Sequence, residues 1–141
     1  MPIRLAIPVV KEYTLPKSDE AYGIVDTPTR VSIRQATQGG HEKRAALFAN
    51  IIREWSNNAE GFRLVQRFSF EELKRIEVQL TLAGCTIENE DGSPLFRFSD
   101  KGIVSDEAAF KRAWDALPPM VAAEIHEKVI DLNVDWRPQG E

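Results

Sequence analysis

The stretch that decides the fold is SFEELKRIEVQLTLAGC, residues 69–85. It opens with Ser69 and carries Glu72 three residues later, a capping box whose side chains satisfy free backbone amides at a helix start. Apolar residues then recur at helical spacing, and Gly84 is typical of the position just past a helix end. The pattern predicts a central helix from Ser69 to about Ala83.

The apolar residues of this central helix do not form a single stripe. Leu73, Ile76 and Leu80 lie on one side, whereas Val78 and Leu82 point the opposite way. A helix that is apolar on two sides is either enclosed in a core or offers one side to a partner. Val78 and Leu82 are therefore candidate partner-binding residues.

Upstream of the central helix, the sequence predicts a small sheet preceded by an arm. Four prolines within residues 1–28 each remove a backbone donor and restrict the preceding residue, which predicts an extended arm with only short strands. Residues 29–35 alternate polar and apolar side chains. They predict a half-buried strand with Val31 and Ile33 facing inward.

One more helix and one more strand are predicted between this strand and the central helix. A helix over residues 41–57 carries an apolar stripe at helical spacing, made of Ala45, Phe48, Ile52 and Trp55. Apolar residues are spaced imperfectly for a strand over residues 62–68, and this segment predicts a second strand.

Downstream of the central helix, the sequence predicts a short hairpin and two helices. Asp91-Gly92 indicates a turn within residues 86–98, because glycine takes positive φ without steric cost. Ser105 predicts the cap of the next helix, and Pro119 suits the first position of the last one.

The last helix carries an apolar stripe and ends near Asn133. Its stripe includes Ile125 and Val129, which are further candidates for partner binding. Trp136 follows, outside any periodic element. A tryptophan in such a place suits either a partner interface or local docking on the body.

Together these elements predict an α+β fold with about four helices, a small N-terminal sheet and a short central hairpin. We expect one domain over residues 1–141. Its parts are an extended arm (residues 1–28), a helical body (29–133) and a loose tail (134–141).

The composition is that of a globular protein that works in the cytoplasm. The chain has 141 residues, of which 43% are hydrophobic and 28% charged, so a core without disulfides or metal is feasible. The net charge is -4 and no long basic run occurs, which argues against nucleic acid as the main ligand. No apolar run is long enough to span a membrane, and the proline-interrupted start does not resemble a signal peptide.

Residue types that support catalysis or metal binding are few and scattered. His41 and His126 form no local pair with a cysteine or with each other, so no metal site is predicted. Cys85 lies in an apolar context, where a lone cysteine is usually inert packing. We therefore predict no catalytic residue, no metal and no cofactor. A small enzyme with an unfamiliar site stays an alternative.

Three pieces of the chain match a known arrangement when they are taken together. They are RVSIRQAT (residues 30–37), LTLAGC leading into EDGSPLF (80–85 and 90–96), and FKRAWDALPP (110–119) with the helix that follows. In this order they resemble the tail assembly chaperones of long-tailed, siphovirus-like bacteriophages. The resemblance covers most of residues 29–136 as an overall arrangement, not as one sharp motif.

This resemblance implies a non-enzymatic function in viral tail morphogenesis. Such chaperones bind the tape measure protein and recruit tail tube subunits in the host cell cytoplasm, and they are usually absent from the finished virion. Self-association is compatible with the sequence. The alternative is a phage structural component, a connector or minor tail protein, whose N-terminal arm clasps a neighbouring subunit.

Overall fold

The computed structural model describes residue 2 and residues 9–57, 62–100 and 102–137, with the side chains of all of these except residues 54–69. Within this part of the chain the fold is α+β, as predicted, with three strands, five α-helices and one 3₁₀ turn. In chain order the elements are β1 (Val10–Thr14), α1 (Pro16–Ala21), β2 (Arg30–Arg34), α2 (Gln38–Asn57), α3 (Phe62–Thr81), β3 (Leu82–Cys85), α4 (Glu107–Ala116), α5 (Pro119–Leu132) and the 3₁₀ turn (Val134–Trp136).

The sheet is antiparallel, with β2 in the centre between β1 and β3. Val31 and Ile33 on β2 are fully buried, as their alternation predicts. On β3, Gly84 lies opposite Ser32. A Cβ at position 84 would lie 3.4 Å from the Ser32 side chain, in van der Waals contact with the central strand.

Residues 10–21 are not part of the extended arm that the prolines predict, and residues 1 and 3–8 of that arm lie outside the described residues. Residues 10–14 form β1, and Pro16 is the first residue of α1, where a missing N–H has no cost. Leu15, between the two elements, is fully buried. Pro16 therefore separates a strand from a helix, and residues 10–21 belong to the folded body.

The central helix α3 begins earlier than predicted. The predicted strand at residues 62–68 is helical, so the capping box at Ser69 does not start the helix. Phe62, Val65 and Phe68 recur every three residues, a spacing that suits a helix better than a strand.

The same helix also ends sooner than predicted. It stops at Thr81, whose hydroxyl donates to the Glu77 carbonyl at 2.7 Å, and residues 82–85 pair with β2 as β3. Sheet pairing ends the helix, because it draws the backbone from Leu82 onward into the ladder.

The core lies between the sheet and α5, with α3 and α4 beside them. Its buried apolar residues are Leu15, Val31, Ile33, Val78, Leu82, Phe96, Phe110, Val121, Ile125, Val129 and Trp136. Burial of each large aliphatic side chain contributes about 1.5–3 kcal/mol. Among the described residues, no helix combines the length and the apolar character that crossing a membrane requires.

Helices α2 and α3 pack on each other as a helical hairpin. The predicted stripe of α2 does not face inward: Ala45 is exposed, and Phe48 and Ile52 are 39% and 40% exposed. Ile51 is buried instead. Apolar residues occupy both the predicted stripe and the neighbouring line of the helix that contains Ile51. Helical periodicity alone therefore did not show which of the two lines faces inward. Trp55 of the same stripe lies outside the residues whose side chains are described.

The segment between β3 and α4 contains the predicted hairpin. A single bridge joins Glu88 and Pro94, and Gly92 in the turn has a φ of 84°. Helix α4 is capped by Asp106, whose carboxylate accepts a backbone N–H of the first turn. The predicted cap, Ser105, is one residue too early.

Residues 134–137 fold back on the body instead of belonging to a loose tail, and the rest of the predicted tail lies outside the described residues. Val134–Trp136 forms a 3₁₀ turn, and Trp136 is only 4% exposed. Asn133 is buried and joins the end of α5 to the residues around β2. Its Oδ1 accepts from Ala36 N at 2.7 Å and its Nδ2 donates to Arg34 O at 3.3 Å.

Candidate functional site

All five residues that the sequence predicts as partner-binding lie inside the protein. Val78, Leu82, Ile125 and Val129 are fully buried, and Trp136 nearly so. Val78 on α3 and Leu82 on β3 belong to the buried core. As exposed contact residues these five are therefore a wrong prediction, and of the five only Trp136 lines the candidate site, as a buried part of its wall.

A groove with a volume of about 740 Å³ runs between α2, α3, α5 and the 3₁₀ turn. This volume is within the range of about 300–1,000 Å³ that is usual for ligand sites. Its lining residues are Arg44, Phe48, Phe70, Leu73, Lys74, Glu77, His126, Asp135, Trp136 and Arg137. It is referred to below as the α2–α3 groove.

The walls of the α2–α3 groove are mainly apolar. Phe48 comes from α2, Phe70 and Leu73 come from α3, and Trp136 comes from the 3₁₀ turn. The four lining residues from α3 begin at Phe70 and follow the spacing i, i+3, i+4 and i+7, so they share one helical face, whose first two members are apolar and whose last two are charged. From Phe70 to Glu77 this face extends about 10 Å along the helix axis, or two turns.

The floor of the groove holds a buried carboxylate with two partners. Glu77 is 3% exposed. Arg44 donates from Nε to its Oε2 at 2.6 Å, and His126 Nε2 lies 2.7 Å from its Oε1. A buried carboxylate requires such partners, because its desolvation would otherwise strongly disfavour folding. The three side chains connect α2, α3 and α5, and they are referred to below as the Glu77 triad.

Trp136 is fixed in the wall by contacts on its edge and its face. Its Nε1 donates to His41 Nδ1 at 3.1 Å, and the two rings meet edge to face with centroids 5.4 Å apart. The Arg44 guanidinium lies 5.3 Å from the centre of the indole and 6.0 Å from the Phe48 ring, within cation–π range. Of the two alternatives for Trp136, local docking on the body is the one observed.

A second groove, of about 710 Å³, lies on the other side of α3, between α3, α4 and α5. It shares Lys74 and His126 with the first groove. Six of its residues are charged and lie on α3 and α4: Glu71, Glu72, Lys74, Arg75, Lys111 and Asp115. Its described apolar lining residues are Trp114 and the smaller Leu117, Pro119, Ala122 and Ala123, so it offers fewer large apolar side chains than the α2–α3 groove.

The lone cysteine is half-buried against the core. Burial raises the pKa of Cys85 to about 11, so the thiol is protonated at neutral pH, which is its unreactive form. His126 directs Nε2 to Glu77. Within the described residues, no group of three or more His, Cys, Asp or Glu side chains could hold a metal ion.

Sequence reasoning missed the Glu77 triad, although one signal for it was present. Glu77 is a charged residue between Ile76 and Val78, at helical spacing from Leu73 and Thr81, where a core position is expected. Such a residue needs a buried partner, but its partners are 33 and 49 positions away in the chain.

No protein-family model, curated protein or solved structure matches this chain.

Proposed function

We propose that this chain is a tail assembly chaperone of a long-tailed bacteriophage. In this role it binds the tape measure protein and recruits tail tube subunits in the host cytoplasm, as the sequence resemblance implies. The observation that supports client binding is the α2–α3 groove. Its apolar wall is partly open to solvent at Phe48, so an apolar side chain of a client can gain burial there.

The shape of the groove suits a helix from the client. An amphipathic helix docks in a groove through anchors at positions such as i, i+4 and i+7, over about two turns. The α2–α3 groove offers a face of the same length on α3, with aromatic residues on either side. Aromatic side chains provide large contact areas and often dominate binding energy.

The Glu77 triad explains why the groove stays open instead of closing on itself. Arg44 and His126 reach Glu77 from different helices, so short contacts to one carboxylate set the spacing of α2, α3 and α5 at this point. Apolar side chains alone would pack until the space between them was filled. A preorganised groove binds more tightly because less ordering is required on association.

The alternative, a connector or minor tail protein, was favoured by a free N-terminal arm. Residues 10–14 and 16–21 are β1 and α1, and Leu15 between them is buried. The feature that favoured this alternative is therefore absent from that part of the chain.

The proposal is tested by co-expressing the chain with the tape measure protein of the same phage and purifying the complex through a tag. We expect the two proteins to co-purify, and mass spectrometry of finished particles to lack this chain. Phe48→Asp should reduce co-purification, whereas Val25→Asp, at a position that is 87% exposed and outside the groove, should not. A chain that is abundant in particles and does not co-purify with the tape measure protein would identify a structural component instead.

A further inference from the structure

The α2–α3 groove is locally basic although the chain as a whole has a net charge of -4. Its lining contains the cationic residues Arg44, Lys74 and Arg137, in addition to His126. The carboxylates of the lining are Glu77 and Asp135. The local balance of charge is thus opposite in sign to that of the whole chain.

One of these two carboxylates does not contribute a free charge to the groove. Glu77 is almost completely buried, and each of its oxygens is engaged, one by Arg44 and one by His126. Its charge is compensated within the floor. Among the described lining residues a ligand therefore meets one exposed carboxylate, that of Asp135, and two exposed cations, Lys74 and Arg137.

The cations at the rim are accessible to a ligand. The side chains of Lys74 and Arg137 are 47% and 56% exposed and come from different elements. Each lies near a carboxylate that does not line the groove, Glu71 at 3.4 Å and Asp131 at 3.5 Å. Exposed pairs of this kind are weak, so a ligand carboxylate can replace either partner.

Arg44 links the floor to the apolar wall. A guanidinium has five N–H donors, and the hydrogen bond to Glu77 uses the one on Nε. The side chain is 21% exposed and lies against the Trp136 and Phe48 rings. A carboxylate that approaches over this wall therefore meets a cation whose position is already fixed.

From this arrangement we propose that the occupant of the α2–α3 groove is an acidic amphipathic helix, with Asp or Glu directly beside its apolar anchors. The inference rests on the proposed function and specifies which segments of the tape measure protein the groove selects. Apolar anchors meet Phe48 and Phe70, while the flanking carboxylates meet Lys74, Arg137 and Arg44. Complementary charge gives such an interface its specificity and its association rate.

The test uses overlapping synthetic peptides that cover the tape measure protein of the same phage, titrated against the full chain at low and at high salt. We expect the binding peptides to carry Asp or Glu beside a helical apolar stripe, and binding to weaken as salt rises. The double variant Lys74→Glu/Arg137→Glu should weaken binding about tenfold, because two attractive contacts become repulsive.

The matched control is Lys11→Glu/Lys17→Glu, which changes the net charge equally on two exposed lysines outside the groove. It should bind like the wild type. Peptides whose Asp and Glu are replaced by Lys should bind the Lys74→Glu/Arg137→Glu chain better than the wild type.

The outcomes separate this inference from the proposed function. Peptides that bind without an acidic preference, and equally well to both double variants, would overturn the charge inference and leave the chaperone function standing. If no peptide binds and the intact tape measure protein does not co-purify, both are overturned. If the intact protein co-purifies but no peptide binds, the groove is not a site for a single helix, and the inference fails alone.

Discussion

Arg44 on α2 and Glu77 on α3 are joined by a 2.6 Å hydrogen bond at the floor of the α2–α3 groove. The same carboxylate lies 2.7 Å from His126 on α5, so one buried acid connects three helices. An ion pair in a buried place adds little net stability compared with apolar packing, but removing one partner is costly. Its role here is to hold the groove walls in position.

Removing the acid from the floor should destabilise the fold. Glu77→Ala leaves the half-buried Arg44 without its carboxylate, and we expect a loss of about 3 kcal/mol in the free energy of unfolding. Urea denaturation measures this loss. The matched control, Glu71→Ala, removes an exposed carboxylate from the same helix and should change stability by less than about 0.5 kcal/mol. Equal losses in the free energy of unfolding of the two variants would show that the Glu77 triad stabilises the fold no more than an exposed carboxylate does.

Glu124 on α5 should make stability depend on acidic pH. Its oxygens accept from the backbone amides of Ser18 at 2.8 Å and Lys17 at 3.0 Å, in the first turn of α1. Burial raises the pKa of Glu124, but the hydrogen bonds from Ser18 and Lys17 outweigh it, and the net shift is downward.

A carboxyl whose pKa is lower in the folded state stabilises the fold above its unfolded pKa of about 4.3, and this stability is lost as pH falls through the folded value. Glu124→Gln should therefore cost about 1–2 kcal/mol at neutral pH and flatten the acid side of the stability curve. Urea denaturation across pH measures both effects. Glu127→Gln, on the exposed side of the same helix, serves as the control. If the stability of wild type and of Glu124→Gln falls in parallel as pH decreases, Glu124 is not the source of the acid dependence.

Cys85 should react slowly with thiol reagents in the native chain. Burial raises its pKa to about 11, so almost no thiolate exists at neutral pH. An unfolded cysteine ionises near pH 8.5, and the thiol therefore contributes stability that is complete below that pH and is lost as pH rises toward 11.

Two measurements check this behaviour of Cys85. The rate of labelling should rise sharply when urea unfolds the chain, and Cys85→Ala should remove part of the loss of stability at alkaline pH. The substitution itself should cost about 1–2 kcal/mol. Rapid labelling of the native chain at neutral pH would contradict the burial of this thiol.

Leu15 should prove to be a core residue. It is fully buried between β1 and α1, and Leu15→Ala should lower the free energy of unfolding by about 3 kcal/mol through lost burial and a residual cavity. Val25→Ala, at an exposed position of the same segment, should have little effect. If thermal or urea unfolding shows no difference between them, the N-terminal segment is an arm after all.

The sequence predicted those elements in which local pattern and tertiary environment agree. β2 alternates and is half-buried, and α5 has both a proline at its first position and a clear stripe. The start of α3 was missed because the Ser69 to Glu72 spacing also occurs inside helices. β1 is one of the short strands expected within the arm, but α1 was missed because the prolines suggested a continuous arm, whereas Pro16 marks a junction between a strand and a helix.

The candidate site was not predictable from local pattern. Val78 and Leu82 were predicted to form a second, exposed side of the central helix, but Leu82 lies on β3 and both residues are buried. The groove combines residues from four elements. Its central contacts join Glu77 to Arg44 and His126, which are distant in sequence, and no periodicity encodes such pairs.

The most direct test of the account is site-specific cross-linking from the groove. A photo-reactive benzoyl-phenylalanine replaces Phe48 in one variant and Val25 in another, and each chain is irradiated with the tape measure protein. Mass spectrometry then locates the cross-linked peptides. We expect position 48 to cross-link to a helical, Asp- or Glu-flanked segment and position 25 to give no such product. Cross-links from position 25 but not from position 48, in a complex that still forms, would contradict the α2–α3 groove as the client site.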